Sequence, residues 1–269
     1  MSESVLRSLA HEAMSLAPSP WLRYHKGRHV IQEGIALHLQ EPFGPSFNYA
    51  AVLTVMPPLD RVLTLADAFF AGHQGGYGVL VEGDAGNPVE AEMRERGWVI
   101  FEDEPALVMP KLTIPRAPFA DETKDKLQIF LVADEPGLAD FSGVLAEAFG
   151  MPAEMQELCR IKKEEAQDPD IGIVAAYFDG KPVAGAMVLC TAGIAVVTGV
   201  ATLPEFRGRG IGAAVSRAVL AEGLRRGCTS AALRSGPLSE PLYRRLGFLP
   251  ACRHRTYVEP AKAAANSAP

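Results

Sequence analysis

The sequence lacks a long apolar segment and an excess of basic charge. No uninterrupted apolar run reaches the about 18 residues that a membrane-spanning helix needs, so we expect no membrane partner. Lysine and arginine number 26 against 32 aspartate and glutamate, which gives a net charge of −6. This balance argues against nucleic-acid binding through a broadly basic surface, although it leaves a local patch open. We expect no nucleic-acid partner.

Spacings typical of metal sites and disulfide frameworks are also missing. The four cysteines (Cys159, Cys190, Cys228 and Cys252) have no zinc spacing and are too sparse for a disulfide framework. The six histidines show no metal spacing either. We therefore expect no metal, reduced thiols and a cytoplasmic location. The first residues, MSESVLRSLAHEAMSL, mix charged with apolar side chains and favour an amphipathic helix over a signal peptide.

Composition and length predict two domains. Hydrophobic residues make up 48% and charged residues 22% of the 269, as in globular proteins, and at about 150 residues per domain this length favours two. A stretch rich in proline marks a linker between them. We expect an N-terminal helix in 1–20, one domain in 21–110, the linker in 111–126, a second domain in 127–258 and a flexible tail in 259–269.

Periodicity and turn residues predict a similar order of elements in both halves. The first half has expected strands at 29–32, 35–40, 48–54 and 77–82, helices at 59–71 and 88–96, and a hairpin formed by 98–101 and 106–109. The second half has expected strands at 127–134, 171–178, 183–190, 195–202 and 229–235, helices at 137–149, 153–167, 210–226 and before Leu246, and a last hairpin after Gly247.

One stretch of the two halves aligns without gaps at an offset of 150 residues. Residues 93–98 (MRERGW) lie opposite 243–248 (YRRLGF), and Val108 lies opposite Val258. The similarity is weak, but it predicts a duplicated fold.

The segment after the strand at 195–202 has the composition of a phosphate-binding loop. Glycines at 208, 210 and 212 leave the backbone N–H groups free to converge on an anion at a helix N-terminus, and Arg207 and Arg209 add positive charge. The alternative is a glycine-rich turn that only packs a helix on a sheet. A P-loop is excluded, because it would need Gly-Lys-Ser/Thr at its end and this segment has none. A dinucleotide-binding fingerprint is also disfavoured. It would need an aspartate or glutamate at the end of the next strand, where this sequence has Arg234.

These residues resemble a known family. Arg207-x-x-Gly210-x-Gly212 after a strand is similar to the acyl-CoA pyrophosphate signature of the GNAT N-acetyltransferase superfamily, and Tyr243-x-x-Leu246-Gly247-Phe248 is similar to its Tyr-x-x-Leu-Gly-Phe segment. The resemblance covers about 127–258. It implies an α/β (α+β) fold of two tandem GNAT-like domains, each a mixed, mostly antiparallel twisted sheet flanked by helices.

The resemblance implies a site for acetyl-CoA as co-substrate and no metal. The strands at 195–202 and 229–235 would splay apart, with a bulge at Gly199, and a backbone N–H near Val200 would stabilise the oxyanion. Ser239 could stand in for an asparagine that the family often has where this sequence has Gly236. The cofactor-binding residues would be Val200, Ala201, Thr202, Arg207, Gly208, Arg209, Gly210, Ile211, Gly212, Ala213 and Ser239.

The catalytic residue implied by the resemblance is Tyr243. Its phenol would protonate the departing CoA thiolate after direct attack by a small-molecule or peptide amine; a packing tyrosine is the alternative. Many family members carry a carboxylate on the strand before the loop, but 195–201 has none. Glu205 and Glu240 are candidates for the general base, although solvated or helix-start charge explains both. A chain of water molecules that removes the proton from the amine would need no basic residue.

The first half lacks this chemistry. Its corresponding loop, 54–60, has no glycine and no arginine, and Met93 replaces Tyr243. The sequence therefore predicts an N-acetyltransferase with an inactive N-terminal domain. The alternatives are a non-catalytic acyl-CoA sensor or interaction module on the same fold, and a nucleotide-binding oxidoreductase that uses the glycine loop.

Overall fold

The computed structural model describes residues 2–17, 20–24, 26–41, 43–83, 86–114, 125–152, 156, 160–236 and 238–260. The chain forms two compact units. The first comprises Met1–Leu107, Arg234–Glu240 and Pro250–Pro269, and the second comprises Val108–Leu233 and Pro241–Leu249. Residues 250–258, which the sequence assigned to the second domain, thus lie in the first unit. The centre of the expected linker, 115–124, and most of the expected tail, 261–269, lie outside the described residues.

The first unit contains a mixed sheet with helices on its two faces. Its helices are α1 (Glu3–Leu16), α2 (Leu59–Phe69) and α3 (Pro88–Glu95), and its strands are β1 (Gly27–Gln32), β2 (Ile35–Gln40), β3 (Tyr49–Val52), β4 (Gly78–Glu82), β5 (Val99–Met109) and β11 (Leu249–Val258). The strand order is β1-β2-β3-β4-β11-β5. Strands β3 and β4 are parallel, whereas β4 pairs with β11 antiparallel.

Alternate side chains of this sheet face different helices. Val79 and Val81 of β4 belong to a core with Leu59 and Val62 of α2. Leu80, between them, belongs to a second cluster on which Met14 of α1 packs. The alternation follows from the two-residue period of a strand. It places α1 and α2 on opposite faces.

The second unit contains a sheet in the order β10-β9-β8-β7-β6. Its strands are β6 (Leu127–Leu131), β7 (Ile171–Phe178), β8 (Lys181–Thr191), β9 (Ile194–Thr202) and β10 (Ser230–Arg234), and its helices are α4 (Glu135–Phe149), α5 (Lys163–Ala166), α6 (Ile211–Arg225) and α7 (Glu240–Arg245). Strands β9 and β10 are parallel; the other paired neighbours are antiparallel. Gly185 lies against Phe141 of α4, whereas Val188 and Ala195 lie against Gly223 of α6, so the two helices cover opposite faces.

The turns and caps that the sequence specifies most strongly are confirmed. Glu33-Gly34 and Asp179-Gly180 join antiparallel strands, and all four residues have φ between 48° and 80°, as the mirror-image hairpin turns require. Asn87 accepts hydrogen bonds from the N–H groups of Val89 and Glu90 at the start of α3, as expected of an N-cap.

Two expected hairpins are wrong. Residues 98–101 and 106–109 do not fold back on each other; they are parts of the single strand β5. The last expected hairpin is likewise the single strand β11. The polar residues between the apolar runs pair with each other rather than forming turns, since Arg253 of β11 donates to Asp103 of β5 at 2.8 Å. Pro105 and the charged residues of β5 therefore do not mark a chain reversal.

The expected helix over 153–167 is interrupted in the part that is described. Gln156 is helical and the last turn is present as α5, but residues 160–162 are not helical, and Lys162 is extended, with φ −91° and ψ 158°. The carboxylate of Glu165 accepts the N–H of Lys162 at 3.3 Å, a capping contact that marks the start of α5. Residues 153–155 and 157–159 lie outside the described residues.

The aligned stretches of the two halves have the same local geometry. In the first unit the N–H of Trp98 bonds to Met93 O at 2.9 Å, and in the second the N–H of Phe248 bonds to Tyr243 O at 3.0 Å. Gly97 and Gly247 both have positive φ, 78° and 91°. Each half thus ends a short helix with a left-handed glycine and continues into one long strand.

Candidate active site

The parallel strands of the second unit separate as they leave the sheet. β9 pairs with β10 from Ile194 to Val196, but β9 continues to Thr202. Its register with β8 shifts between Gly185 and Met187, where Gly199 has φ 58°. One more residue on β9 than on β8 fits into this interval, so the expected bulge at Gly199 is confirmed. The bulge lies directly before Val200, Ala201 and Thr202.

A helix N-terminus follows the open end of β9. After Thr202 the chain makes a turn of 3-10 helix at Pro204–Phe206 and then enters α6 at Ile211. Gly210 caps α6 in the left-handed region, with no side-chain cap. The N–H of Ala214 bonds to Gly210 O, and the three preceding N–H groups have no acceptor within the helix. This arrangement is the one that the glycine loop predicts, and whether it binds an anion stays a prediction.

The three glycines of the loop differ in whether the backbone conformation requires glycine. Gly208 and Gly210 have φ of 77° and 80°, which side chains with a Cβ seldom adopt. Gly212 lies in ordinary helix, and a Cβ there would lie 3.5 Å from Leu242 Cδ1 and from Thr202 Oγ1. That distance is normal van der Waals contact, so nothing in the fold itself requires glycine at 212.

The two arginines of the loop are engaged by the protein. Arg207 donates from Nε to Thr202 O at 3.0 Å and from Nη2 to Ala148 O at 3.2 Å. Arg209 donates to Glu205 O at 3.1 Å and lies over the ring of Phe206 at 5.1 Å. Arg207 thus fastens the loop to the end of β9 and to the end of α4. The expected role of both in holding phosphate stays a prediction.

Tyr243 lies buried beside α6. Its side chain is 6% exposed and its ring meets that of Phe248 edge-on, with centroids 5.8 Å apart. Burial raises the pKa of Tyr243 to about 12, and a hydrogen bond with Ser216 partly offsets that shift. Ser216 also donates to Gly212 O at 2.8 Å. Sequence reasoning missed Ser216; the available signal was a hydroxyl on the buried face of a helix, one turn after Gly212.

The segment that follows the bulge packs on apolar side chains. Ala201 and Leu203 form a buried cluster with Val144 of α4, and Phe206 packs against it. The α4 helix therefore supports the segment that follows the bulge. This contact supports Ala201, whose strand is no longer paired with β10 there but still pairs with Gly185 of β8.

Ser239 and the candidate bases have other partners. The Ser239 hydroxyl lies 2.9 Å from Ser235 Oγ and donates to Gly236 O, so its polar contacts are local. Glu205 is exposed and pairs with Lys181 at 3.2 Å; hydrogen bonds from its own backbone N–H and from Lys181 lower its pKa. Both observations fit a solvated loop carboxylate. Glu240 begins α7.

The corresponding region of the first unit is closed. Strand β3 pairs with β4 along its whole length, Tyr49 to Val52, so no cleft opens there. The N-terminus of α2 meets a carboxylate, because the N–H of Leu59 donates to Glu92 Oε2 at 3.3 Å. Met93, at the position of Tyr243, is fully buried in the core.

The fold and this site define a class of protein. A parallel strand pair that opens at a bulge, followed by a glycine loop on a helix N-terminus, occurs in the described part of the second unit and has a closed counterpart in the first. Residues 141–248 match the model of the family described as the Acetyltransferase (GNAT) family. Residues 141–248 are thus similar to the GNAT family, and the chain has the fold of GCN5-related N-acetyltransferases.

Solved structures show the same fold over most of the chain. A GCN5-related N-acetyltransferase from Kribbella flavida aligns with a TM-score of 0.72 at 21% identity, over 96% of this chain and 98% of that one. One from Sphaerobacter thermophilus aligns with a TM-score of 0.55 at 18% identity, over 83% and 79%. A tandem GNAT protein from the clavulanic acid biosynthesis pathway aligns with a TM-score of 0.54 at 15% identity, over 83% and 77%.

Two further comparisons complete the description. No curated protein matches the sequence. Among the described residues, no helix has the length and hydrophobicity needed to cross a membrane.

Proposed function

We propose that the protein is an acyl-CoA-dependent N-acyltransferase that moves an acetyl group from acetyl-CoA to an amine. The observation that carries the proposal is the juxtaposition in the second unit of an open strand end, Val197–Thr202, and the donor-rich N-terminus of α6. A pantetheine chain needs backbone partners and a pyrophosphate needs converging N–H groups. The GNAT family uses acetyl-CoA, which agrees with both.

The chain would hold acetyl-CoA along two segments. The N–H groups of Ile211, Gly212 and Ala213 would bind the pyrophosphate, where the helix dipole favours negative charge. The backbone of Val200, Ala201 and Thr202 would bind the pantetheine. Gly212 supports this assignment, because the protein itself leaves room for a methyl group there and a closely bound phosphate would not.

The reaction would proceed by direct attack. The lone pair of a neutral amine forms a C–N bond to the thioester carbonyl, and the N–H near Val200 stabilises the negative oxygen. Collapse of the intermediate breaks the C–S bond and releases the CoA thiolate. Tyr243 gives its proton to that sulfur and regains one from solvent, while the acylated nitrogen loses its extra proton to water.

The environment of Tyr243 supports a donor role. At a pKa of about 12 the phenol is protonated throughout the physiological range. Because a thiol has a pKa of about 8.5, the thiolate is a weaker base than the phenolate. Tyr243 therefore stabilises the departing sulfur mainly as a hydrogen-bond donor. Transfer of its proton to the thiolate is uphill at these pKa values and is completed as the phenolate regains a proton from solvent.

A single methyl group tests the cofactor site. Gly212→Ala should retain the fold, because alanine stabilises a helix by about 1 kcal/mol relative to glycine and its Cβ has room. Its affinity for acetyl-CoA, measured by calorimetric titration, should fall at least about tenfold, or 1.4 kcal/mol. Gly143→Ala is the matched control: it is also helical and its Cβ would meet nothing within 4 Å.

Both outcomes of this titration are informative. Saturable one-site binding by the wild-type protein, retained in Gly143→Ala and weakened in Gly212→Ala, agrees with the proposal. If the folded wild-type protein does not bind acetyl-CoA, the proposal is wrong, and NAD(P) binding would then favour the oxidoreductase alternative.

A non-catalytic acyl-CoA sensor is the second candidate function. It is favoured by the β9 side chains, which include no carboxylate, and by the pairing of Glu205 with Lys181. The two candidates differ in turnover. A panel of amines with detection of released thiol should show acetyl transfer if the first proposal holds, and cofactor binding without thiol release if the sensor proposal holds.

A further inference from the structure

A cluster of metal-ligand side chains lies inside the first unit, under helix α1. The register of β4 and β11 places His254 directly opposite Glu82. Cys252, two residues before His254, faces the same side of the sheet because strand side chains alternate. His11 of α1 packs onto that side, with its ring centroid 5.9 Å from that of His254.

The potential ligand atoms are close enough to share one ion. The ligand atoms of His11, Cys252 and His254 all lie within 4.8 Å of one another. Cys252 Sγ is 3.4 Å from His254 Nε2, and Glu82 Oε2 is 2.9 Å from His11 Nε2. Neighbouring ligand atoms of a tetrahedral zinc site lie roughly 3.3–3.6 Å apart, given zinc–ligand bonds of about 2.0–2.3 Å.

Among the described residues, each of the two imidazoles has one nitrogen atom without an aligned hydrogen bond. His254 is 1% exposed, and among the described residues no group hydrogen-bonds to its Nδ1. His11 Nε2 is near Glu82, yet the pair is not aligned as a hydrogen bond. Buried imidazole nitrogens without an aligned partner cost free energy. A shared cation would remove that cost for the atoms that face it.

The charged neighbours of the cluster are the carboxylate of Glu82 and the guanidinium groups of Arg7 and Arg234. Burial and the neighbouring Arg234 and His11 hold the pKa of His254 well below its usual value, and burial followed by Arg7 lowers that of His11. Arg7 lies 3.3 Å from Glu82 Oε1 and would orient the carboxylate, as outer residues of metal sites do.

We propose that His11, Cys252 and His254, with Glu82 beside His11 as a further ligand, form a site for a divalent transition metal ion such as Zn²⁺. Two imidazoles, one thiolate and one carboxylate are ligands that Zn²⁺ accepts. On binding, the Cys252 thiol loses its proton to solvent and the sulfur bonds the ion, without any redox change. The ion would connect α1 to β4 and β11. Because α1 and β11 lie at opposite ends of the chain, sequence spacing gives no sign of such a site.

Cobalt(II) provides a direct test on the full-length, untagged protein. The chelator-treated, reduced protein is titrated with Co²⁺ and its absorption spectrum recorded. We expect saturation at one equivalent, the intense visible bands of tetrahedral cobalt and a sulfur-to-cobalt charge-transfer band in the near ultraviolet. Adding Zn²⁺ should abolish these bands. Zn²⁺ should also raise the Tm of the wild-type protein, because it binds the folded state.

Variants assign the bands to the cluster. Cys252→Ser should lose the charge-transfer band, and His11→Gln should weaken Co²⁺ binding by on the order of tenfold or more, while circular dichroism shows both folded. Cys228→Ser is the matched control, since that thiol is buried in the second unit, and it should bind like wild type. A charge-transfer band that persists in Cys252→Ser would overturn the proposal. So would a folded wild-type protein that binds neither ion stoichiometrically.

Discussion

Tyr243 is the side chain on which the proposed chemistry depends most. Removing its hydroxyl leaves a ring of the same shape against Phe248 but no donor for the thiolate. Tyr243→Phe should lower kcat by about 10² or more and change the KM for acetyl-CoA little. Tyr177→Phe is the control, because the Tyr177 hydroxyl donates to Asp140 at 2.8 Å in the same unit. Equal activity of Tyr243→Phe and wild type would support the sensor proposal instead.

The pH dependence of kcat follows from the burial of Tyr243. Its pKa is raised to about 12, so the phenol stays protonated above the ordinary tyrosine value of about 10. Since the protonated form is the active one, kcat at saturating substrate should show no loss attributable to Tyr243 between pH 8 and 10.5. A fall in kcat centred near pH 10, in protein that circular dichroism shows to be folded, would contradict this assignment.

Sequence reasoning could predict residue types in the site but not their partners. The spacing of Gly210, Gly212 and Tyr243 was sufficient to indicate the loop before α6, whereas the role of Tyr243 as donor stays a prediction. That Arg207 bonds to Ala148 O depends on where α4 ends, and Ser216 becomes relevant only once α6 lies beside α7. Such contacts join residues far apart in sequence, and local pattern carries no information about them.

At the level of elements, the bulge in β9 decides whether the parallel pair opens. Gly199 has φ 58°, and a Cβ there would have ordinary contacts, 3.7 Å from Leu145 and Phe141. Gly199→Ala should therefore destabilise the protein through backbone strain alone, by about 1–2 kcal/mol in urea denaturation. Since the bulge orients Val200, affinity for acetyl-CoA should fall as well. Unchanged stability would show that the left-handed conformation at 199 is not required.

Elements were predicted correctly where turn chemistry is local and incorrectly where it is not. Asp179-Gly180 fixes its hairpin through two positive φ angles, and any two residues suited to that conformation would indicate it. The expected hairpins at 98–109 and after Gly247 had no such pair, only polar residues between apolar runs. Those residues pair across β5 and β11, so polar residues in the middle of two paired strands were mistaken for turns.

At the scale of the whole molecule, the last strand completes the first unit. β11 lies between β4 and β5, and its Tyr257 hydroxyl and Arg255 guanidinium each donate to Glu90 Oε1 at 2.7 Å. Glu90 lies on α3 and is 4% exposed. A buried carboxylate thus connects an early helix to the last strand. The similar order of elements in the two halves of the sequence suggests two separate domains. Only the pairing of β11 shows that the sheet of the first unit is completed by residues 250–258.

This arrangement predicts where one substitution will act. Glu90→Gln removes the charge that pairs with Arg255 and should destabilise the first unit by about 3 kcal/mol, because a buried ion pair loses one partner. Hydrogen exchange followed by residue should show faster exchange in β4 and β11. Amides of β7 and β8, which belong to the second unit with its own core, should keep their protection.

The pKa of Glu90 also determines how the stability of the wild-type protein changes with pH. Burial raises this pKa, but the hydrogen bonds from Tyr257 and Arg255 outweigh burial and lower it. The stabilisation is present above the unfolded-state pKa of the carboxyl and is lost as the pH falls through the folded-state value. In Glu90→Gln that part of the acid sensitivity should disappear, and an unchanged acid transition would show that Glu90 does not hold β11 in place.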